Sequence, residues 1–550
     1  MIKWERMKVA LVGLNVSYIH KNLALRWLMV TKPSDIDAQI FEQSTKQVDL
    51  MVKNLIDYQP DWIGISVYIF NLEATIRLIH LIKENLVDCK IVVGGPEATY
   101  NPKVLFDTPI DGIIRGEGEF AFWDIVLGKK SPFYQTRLDE QIPLSKVTLA
   151  DLESYESPYF LSSDQEDMNK RYLYVESGRG CPYGCTYCMA SLDQSVRFFS
   201  DSYMQSFFSQ LKDSKVQQVK FLDRTFNVNS KRAYALALQC MNMPESLHFH
   251  VELVGDTLDE ALIKLLIDQG QERFRLEIGV QSFNQECLNQ VSRISHLHRL
   301  REVILRFSQA KMKQHLDLIA GLPLMDMGIF IEDYNQLMRN QPYEAQIGIL
   351  KILKGSNLEI NHSQAYQYQT KPPYQIIKSQ WMSETDIKDV EAIALATDKL
   401  YNSQRIKEGL DQLFIGVEPY PIMLKIGQDL LDLSHPYSTQ QFYRCILASL
   451  SAMIESDHAY RLIAYHYYQE AKMIPSSLID RLNIDALPYR PMLNQMTQLK
   501  HYVIVPSYDL CALHDIWIYD KFALAHHMLR FDFNGKCIKE EHYETPLSNA

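Results

Sequence analysis

Cysteine is scarce in this chain: nine residues in 550, an odd number. That excludes the dense disulfide framework of a small secreted domain and leaves reduced thiols for metal. Positive charge is also short. The 56 Lys and Arg face 67 Asp and Glu, a net charge of -11, which repels phosphate backbones and argues against general nucleic-acid binding through a basic surface. No long hydrophobic run stands near the N-terminus. Met1 to Val12 carries Lys3, Glu5, Arg6 and Lys8, and its apolar stretch is too short for a signal peptide or a membrane span. A cytoplasmic location with no membrane partner is therefore expected. Internal repeats and low-complexity tracts are missing as well. What is present is an ordinary globular composition, 47% hydrophobic and 22% charged. A chain this long exceeds what one core supports, so roughly two to four domains are expected.

From Lys8 to about Gly128 short apolar runs alternate with helical periodicity, the pattern of a parallel sheet covered by helices. The runs are Val9 to Val12, Ile63 to Val67, Ile91 to Val93 and Gly112 to Ile114. Leu72, Ile76, Ile79, Ile82 and Leu86 recur at helical spacing, with Asn71 as the expected N-cap. Residues 1–135 thus predict a flavodoxin-like, Rossmann-type α/β domain. Residues 136–170, with Pro143 and Pro158 and no sustained period, read as a linker draped over the surface. Over 171–353 the alternation returns, with strands expected near 172–176, 217–222, 247–253, 273–279, 313–319 and 345–350. Helices are expected between them, as at 256–269 and 326–340. Six such units predict a partial, TIM-like (β/α)6 barrel rather than a closed eightfold one. Residues 354–550, rich in Tyr and helical pattern, are expected to form a mostly helical domain of unknown function.

The segment Glu176-Ser-Gly-Arg-Gly-Cys-Pro-Tyr-Gly-Cys-Thr-Tyr-Cys188 places Cys181, Cys185 and Cys188 directly after the first barrel strand, in the loop where barrel enzymes keep their chemistry. Soft thiolates at this spacing suit an iron-sulfur cluster or zinc, and glycines at 178, 180 and 184 let the backbone wrap a bulky inorganic core. Three ligands on a [4Fe-4S] cluster leave one iron open. That iron can chelate the amino and carboxylate groups of S-adenosylmethionine (SAM), so that one electron releases a 5'-deoxyadenosyl radical. Structural zinc completed by a distant Cys or His is the other reading, although no adjacent second half-site is present. Cys89, Cys240, Cys287, Cys445, Cys511 and Cys537 are scattered singly and read as small buried residues.

The spacing C-x3-C-x-aromatic-C, matched by Cys181, Cys185, Tyr187 and Cys188, resembles the radical SAM superfamily. The resemblance implies that Tyr187 helps seat the adenine. It also implies that Asp223 in Phe221 to Asn227, Glu252, Glu277, Gln281 and Ser282 in Glu277 to Ser282, and Asp317 in Asp317 to Pro323 hold SAM's polar groups at strand ends. For the carboxylates, a barrel-lining hydrogen-bond network is the alternative. The front domain is similar to the cobalamin-binding domain of class B radical SAM enzymes, through Gly64 to Tyr68, Val92 to Pro96 and Ile114 to Glu119. Ser66, Gly94, Gly95, Gly116 and Glu117 are then the expected cobalamin contacts. One departure stands out: where related cobalamin proteins carry the histidine of D-x-H-x-x-G, this chain has Ser17, with His20 three residues on. Segments from Lys351 to Ser403 resemble an uncharacterised domain appended to one subfamily.

The resemblance implies an external one-electron donor such as flavodoxin or ferredoxin, and cobalamin-dependent methyl transfer to, or rearrangement of, an unidentified substrate. Two other readings stay open. One is a radical SAM enzyme whose front domain no longer binds cobalamin; the other is a non-catalytic protein holding zinc or a sensing cluster. A methylthiotransferase would need further clustered cysteines before the barrel, where Cys89 stands alone.

Overall fold

The computed structural model describes residues 6–138, 140–434 and 436–456, the single positions 459, 462, 463 and 466, and strands at 502–506, 516–520, 526–531 and 537–543. The chain divides into two units. The first comprises residues 1–315, 321–324 and 350–383, and the second 316–320, 325–349 and 384–550.

In the first unit β1 (Lys8–Asn15), β2 (Asp37–Ser44), β3 (Trp62–Ser66), β4 (Lys90–Gly94), β5 (Gly112–Ile114) and β6 (Tyr134–Gln135) form one sheet in the order β2-β1-β3-β4-β5-β6. The first five strands are parallel, and β6 closes the edge antiparallel. This is the flavodoxin-like order, whose direction reverses between β1 and β3 and opens a crevice at their C-terminal ends. Alternate residues of β1 divide between two cores: Ala10 and Val12 pack with Met51 and Ile79, Val9 and Leu11 with Leu25 and Phe122. Burial on both faces explains the unbroken apolar run. The edge strand β2 escaped the sequence reading because Asp37-Ala-Gln-Ile-Phe-Glu-Gln-Ser44 is mixed in polarity and only partly buried.

The expected helix appears at Leu72–Asn85, but Asn71 does not cap it with its side chain. Its Nδ2 donates instead to the carbonyls of Leu14 (3.0 Å) and Ser66 (3.1 Å), and its Oδ1 accepts from the Tyr68 N–H (2.8 Å). Asn71 thereby holds the ends of β1 and β3 at fixed spacing, beside the crevice.

Residues 136–170 have little regular structure, yet they are pinned. Asp164 pairs with Arg26 at 2.7 Å, Arg26 with Glu42 at 2.8 Å and Lys21 with Asp167 at 2.8 Å. Tyr159 is 1% exposed, so the segment contributes to the core rather than lying on the surface.

The barrel repeats begin with β7 (Leu173–Val175), a short hairpin of β8 (Gly178–Arg179) and β9 (Arg197–Phe198), then β10 (Gln218–Phe221), β11 (His248–Leu253), β12 (Phe274–Gln281) and β13 (Lys313–Ala320). Helices Asp201–Lys212, Ser230–Met241, Glu260–Gln269 and Leu297–Gln309 lie between them in the chain. β7, β10, β11 and β12 are parallel neighbours in that order. Their two faces differ sharply. Val219, Phe221, Phe249, Val251, Phe274, Leu276 and Ile278 are fully buried, whereas the alternate positions Tyr172, Tyr174, Lys220, His250, Glu252, Arg275 and Glu277 keep partial solvent access. Ile278 and Leu300 of the helix Leu297–Gln309 both crowd the space above Gly255, so the apolar set faces the helices and the polar set faces inward.

The strand β13 starts in the first unit and continues into the second, where β14 (Glu344–Ile349) is its neighbour. Back in the first unit, β15 (Tyr366–Tyr368) and β16 (Ile376–Ser379) form an antiparallel hairpin. The second unit is helical over Met327–Arg339, Glu384–Ala396, Lys407–Leu413, Pro419–Leu431 and Thr439–Ser451. Gly427 lets two of these helices touch, since a Cβ there would fall on the Ala392 carbonyl. Near the end of the chain β17 (Tyr502–Pro506), β18 (Ile516–Asp520), β19 (His526–Phe531) and β20 (Cys537–Tyr543) make an antiparallel sheet. The expectation of a mostly helical domain therefore holds for 384–451 but misses this sheet, whose β-branched and aromatic runs suit strands. Residues 467–501 and 507–515 lie outside the described residues. Among the described residues no helix is long and apolar enough to cross a membrane.

Candidate functional site

The cysteine loop hangs from several anchors. The Cys181 N–H donates to the Asp193 carbonyl (2.9 Å), Thr186 N–H to the Val291 carbonyl (3.0 Å), and Leu358 N–H to the Thr186 carbonyl (2.8 Å). Gly178 and Gly180 serve the hairpin rather than a wrapped inorganic core. A Cβ on Gly180, at φ +91°, would lie 2.4 Å from the Ser195 carbonyl, and one on Gly178 would lie 2.7 Å from that of Arg197. Gly184, by contrast, stands clear, its nearest neighbour at 3.4 Å.

Burial pushes the Cys181 thiol up, and the other two sulfurs, close enough to repel it, push the same way. Mutual repulsion among three sulfurs is what binding to positively charged iron relieves, and three thiols with no nearby carboxylate ligand are an iron-sulfur donor set. Among the described residues no three His, Cys, Asp or Glu side chains converge closely enough to enclose a single ion. A cubane makes no such demand, because each thiolate meets a different iron. Arg293 lies over the loop: its Nη1 is 3.9 Å from Cys185 Sγ and its Nη2 donates to the Gly279 carbonyl. Tyr187 hydrogen-bonds Cys185 and sits beside the same guanidinium, and burial pushes its hydroxyl well up. No sequence signal pointed to Arg293.

Of the carboxylates expected at strand ends, Asp223 is tied directly to this loop. Asp223 is 7% exposed and accepts from Ser177 N (2.8 Å) and Ser177 Oγ (2.5 Å), tying β10 to the residue that opens the loop. Burial pushes its carboxyl up to about 6. Burial raises Glu252 to about 7 against the pull of Arg224, with help from Glu277 and Asp223. Glu277 behaves differently: burial pushes it up, but His250, whose Nε2 lies 2.8 Å away, holds it below the usual range. Gln281 adopts a left-handed backbone (φ 68°), and its Nε2 lies 2.5 Å from where a Cβ on Gly279 would be. Ser282 is fully buried and accepts from the Asn284 N–H (3.0 Å), so it shapes a turn. Asp317 belongs to the part of β13 in the second unit.

Beside the start of this loop lies a cavity of about 750 Å³. One wall is the crevice of the front sheet, with Asn15, Ser66, Tyr68, Gly94, Gly95, Gly116, Glu117 and Gly118; the other is Tyr174, Glu176, Arg179, Gly180 and Arg224 from the barrel. All five residues expected to contact cobalamin therefore border one space. Their glycines differ in purpose. Gly95 (φ +100°) and Gly116 (φ +89°) are required by backbone geometry, since a Cβ would lie 2.6 Å from the Val67 carbonyl or 2.4 Å from that of Ser145. Gly94 and Gly118 meet nothing closer than 3.8 Å and 3.9 Å, so a side chain there would fill the cavity. Glu117 is engaged otherwise: it pairs with Arg197 (2.6 Å) and accepts from the Val147 N–H (2.5 Å). Arg179 pairs with Glu119 at 2.7 Å and Glu176 at 3.0 Å. His20 borders the cavity too. Its Nδ1 is 2.6 Å from the Tyr174 hydroxyl, and burial, then Lys220 and Arg171, hold it below its usual range. Ser66 Oγ accepts from Asn22 Nδ2 at 2.6 Å.

A three-cysteine loop on the first strand of a β/α-repeat domain, bordered by a cofactor-sized cleft at the switch point of a flavodoxin-like sheet, defines a two-cofactor α/β protein. Family models agree. Residues 9–126 match the B12 binding domain, 175–337 the radical SAM superfamily, and 362–424 a protein of unknown function, DUF4080. The chain thus carries a B12 binding domain and a radical SAM domain, the domains that bind cobalamin and, through a [4Fe-4S] cluster, SAM, with DUF4080 following them.

Among curated relatives, the cobalamin-dependent radical SAM methyltransferase TokK of Streptomyces tokunonensis is 23% identical over 322 residues, 53% of this chain and 47% of that protein. The hopanoid C-3 methylase of Methylococcus capsulatus is 25% identical over 266 residues, 43% of this chain and 48% of that protein. The chain thus spans about half the length of these relatives. Of solved structures, the cobalamin-dependent SAM radical enzyme OxsB with aqua-cobalamin bound superposes with a TM-score of 0.61 at 14% identity, covering 86% of this chain and 82% of OxsB. TsrM from Kitasatospora setae, with cobalamin and a [4Fe-4S] cluster bound, gives 0.55 at 14% identity, covering 66% and 76%. At such identities the likeness is one of fold.

Proposed function

We propose that this chain cleaves SAM reductively and transfers a methyl group, by way of cobalamin, to carbon of a substrate not yet identified. The observation that carries the reading is a cavity of about 750 Å³ walled by the glycine-bearing strand ends of the B12 binding domain and by the barrel strand that leads into Cys181. Cys181, Cys185 and Cys188 would hold the cluster, and Gly94 and Gly118 would leave room for the corrin with Ser66 at its edge. When bound, the cluster supplies an electron to SAM and cobalamin supplies the methyl group. The chain's own residues position and shield: Tyr187 covers the adenine side of the loop, Arg293 offsets the charge beside Cys185, and Glu252 and Glu277 present carboxyl groups of different proton affinity to SAM and substrate. An external one-electron donor such as flavodoxin or ferredoxin would reduce the cluster. The cognate methylase names among the relatives favour methyl transfer over rearrangement. We also propose the division into 1–135, 136–170, 171–353 and 354–550 as functional segments.

Anaerobic reconstitution of the full chain should give about four irons and four sulfides per protein, a retained corrin spectrum after gel filtration, and 5'-deoxyadenosine when dithionite and SAM are added. Cys185→Ala should abolish the last. Reconstituted protein that holds a cluster yet never consumes SAM would overturn the reading, and loss of all corrin on gel filtration would remove its cobalamin half.

A further inference from the structure

The inward face of the barrel strands carries an ammonium group that the site described above does not use. Lys220 on β10 is in register with Tyr174 on β7 and His250 on β11, and His250 with Arg275 on β12. One layer higher, Glu252 pairs in register with Glu277. Lys220 Nζ lies 4.2 Å above the Tyr172 ring. Among the described residues it has no hydrogen-bond or ion-pair partner. The carboxylate that attracts it, Glu277, already has an oxygen 2.8 Å from His250 Nε2. His250 Nδ1 is buried and also without a hydrogen bond. An ammonium partly withdrawn from water and given only an aromatic face recovers little of the hydration it has lost. Burial, then Arg275, holds its proton affinity below the usual lysine range, while His315 beside it is kept neutral, near 4, chiefly by burial.

This layer adjoins the cavity. Tyr174, in register with Lys220, is one of the cavity's walls, and the two residues after β10's end on the inward side, Leu222 and Arg224, border it as well. A molecule reaching inward past the cavity therefore meets Lys220 with its aromatic and histidine neighbours.

We infer that Lys220, with Tyr172 and His250, forms the recognition site for an oxyanion, carboxylate or phosphate, carried by the substrate of the proposed methyl transfer. The inference rests on that reading for its function. The oxyanion would receive the Lys220 ammonium hydrogen bonds now unmade, with the Tyr172 ring as floor.

The test uses the anaerobically reconstituted full chain with SAM present, titrated separately with inorganic phosphate and with acetate and followed by 31P and 13C line broadening. Saturable binding of either ion, weakened roughly tenfold or more in Lys220→Met and largely restored in Lys220→Arg, is the expected result. Phosphate alone or acetate alone identifies which oxyanion the substrate bears. No saturable binding in the parent protein, or binding that Lys220→Met leaves unchanged, overturns the inference. If Lys220→Met fails to retain its cluster, Lys220→Gln, polar and of similar reach, carries the same comparison. Formation of 5'-deoxyadenosine by the parent preparation keeps the two proposals separate: its absence sinks the proposed function, whereas its presence without anion binding sinks this inference alone.

Discussion

Asp223 grips Ser177 at two points, through the backbone N–H at 2.8 Å and the hydroxyl at 2.5 Å. This pair fastens the end of β10 to the residue from which the cysteine loop departs. Asp223→Ala would leave two buried donors without an acceptor, at a cost of about 1–3 kcal/mol each in the worst case. A lowered melting temperature together with reduced iron retention is expected. An unchanged melt would show that water replaces the carboxylate at no loss.

The same burial has a pH signature. Asp223 and Glu252 are raised to about 6 and about 7 from ordinary values of 3.8 and 4.5. A carboxyl whose proton affinity is higher in the folded state favours folding fully below its unfolded value, and that contribution disappears as pH rises through the folded one. Between about pH 4.5 and 7 this pair should therefore make the protein less stable with rising pH. Glu252→Gln should flatten its share of the slope, by up to about 3 kcal/mol across the window. Thermal melts of both proteins at a series of pH values check this, and parallel curves would refute it.

Two neighbouring glycine types separate fold from cofactor. Gly116→Ala must place a Cβ 2.4 Å from the Ser145 carbonyl at φ +89°, so it should destabilise by about 1–3 kcal/mol. Gly94→Leu should fold nearly as well as the parent but retain less cobalamin, because its side chain enters the cavity. Corrin absorbance after gel filtration and melting temperature, measured on both variants, distinguish the two effects.

Arg293, 3.9 Å from Cys185 Sγ, places positive charge beside the proposed cluster. Arg293→Met should shift the cluster's reduction potential to more negative values, on the order of tens of millivolts. An EPR-monitored redox titration reads the shift, and a potential equal to the parent's would assign Arg293 to the loop's backbone alone.

The pinned segment offers a stability test. Arg26→Met would strand the buried carboxylates of Asp164 and Glu42, both within 2.8 Å of the guanidinium. Removing one partner of a buried network typically costs about 3–5 kcal/mol, so soluble yield and melting temperature should both fall. A melt within a degree of the parent's would mean that Lys21 and Arg171 compensate.

Much of the architecture was legible because it is encoded over short windows. The strands at Val9 to Val12 and Ile91 to Val93 are apolar without interruption because helices cover both faces, and three cysteines within one loop point by their spacing to a metal or cluster site. The edge strand β2 and the last four strands were not legible. A half-exposed edge carries no apolar run, and the last four strands are short, five to seven residues each, two of them, His526–Phe531 and Cys537–Tyr543, rich in polar and charged residues.

What the sequence determined by itself is what neighbouring residues settle among themselves: the turn chemistry, the periodicity and the cysteine spacing of Cys181, Cys185 and Cys188. Tertiary structure alone decided that Arg293, 108 residues from Cys185, lies over that loop. It alone decided that Gly94 opens on a cavity while Gly95 beside it serves a backbone contact, and that Lys220 shares one layer with Tyr174 and His250 while its ammonium lies over the Tyr172 ring. The physical reason is register. Side chains from separate strands become neighbours only when the sheet's hydrogen bonds align them, and no local pattern carries that alignment.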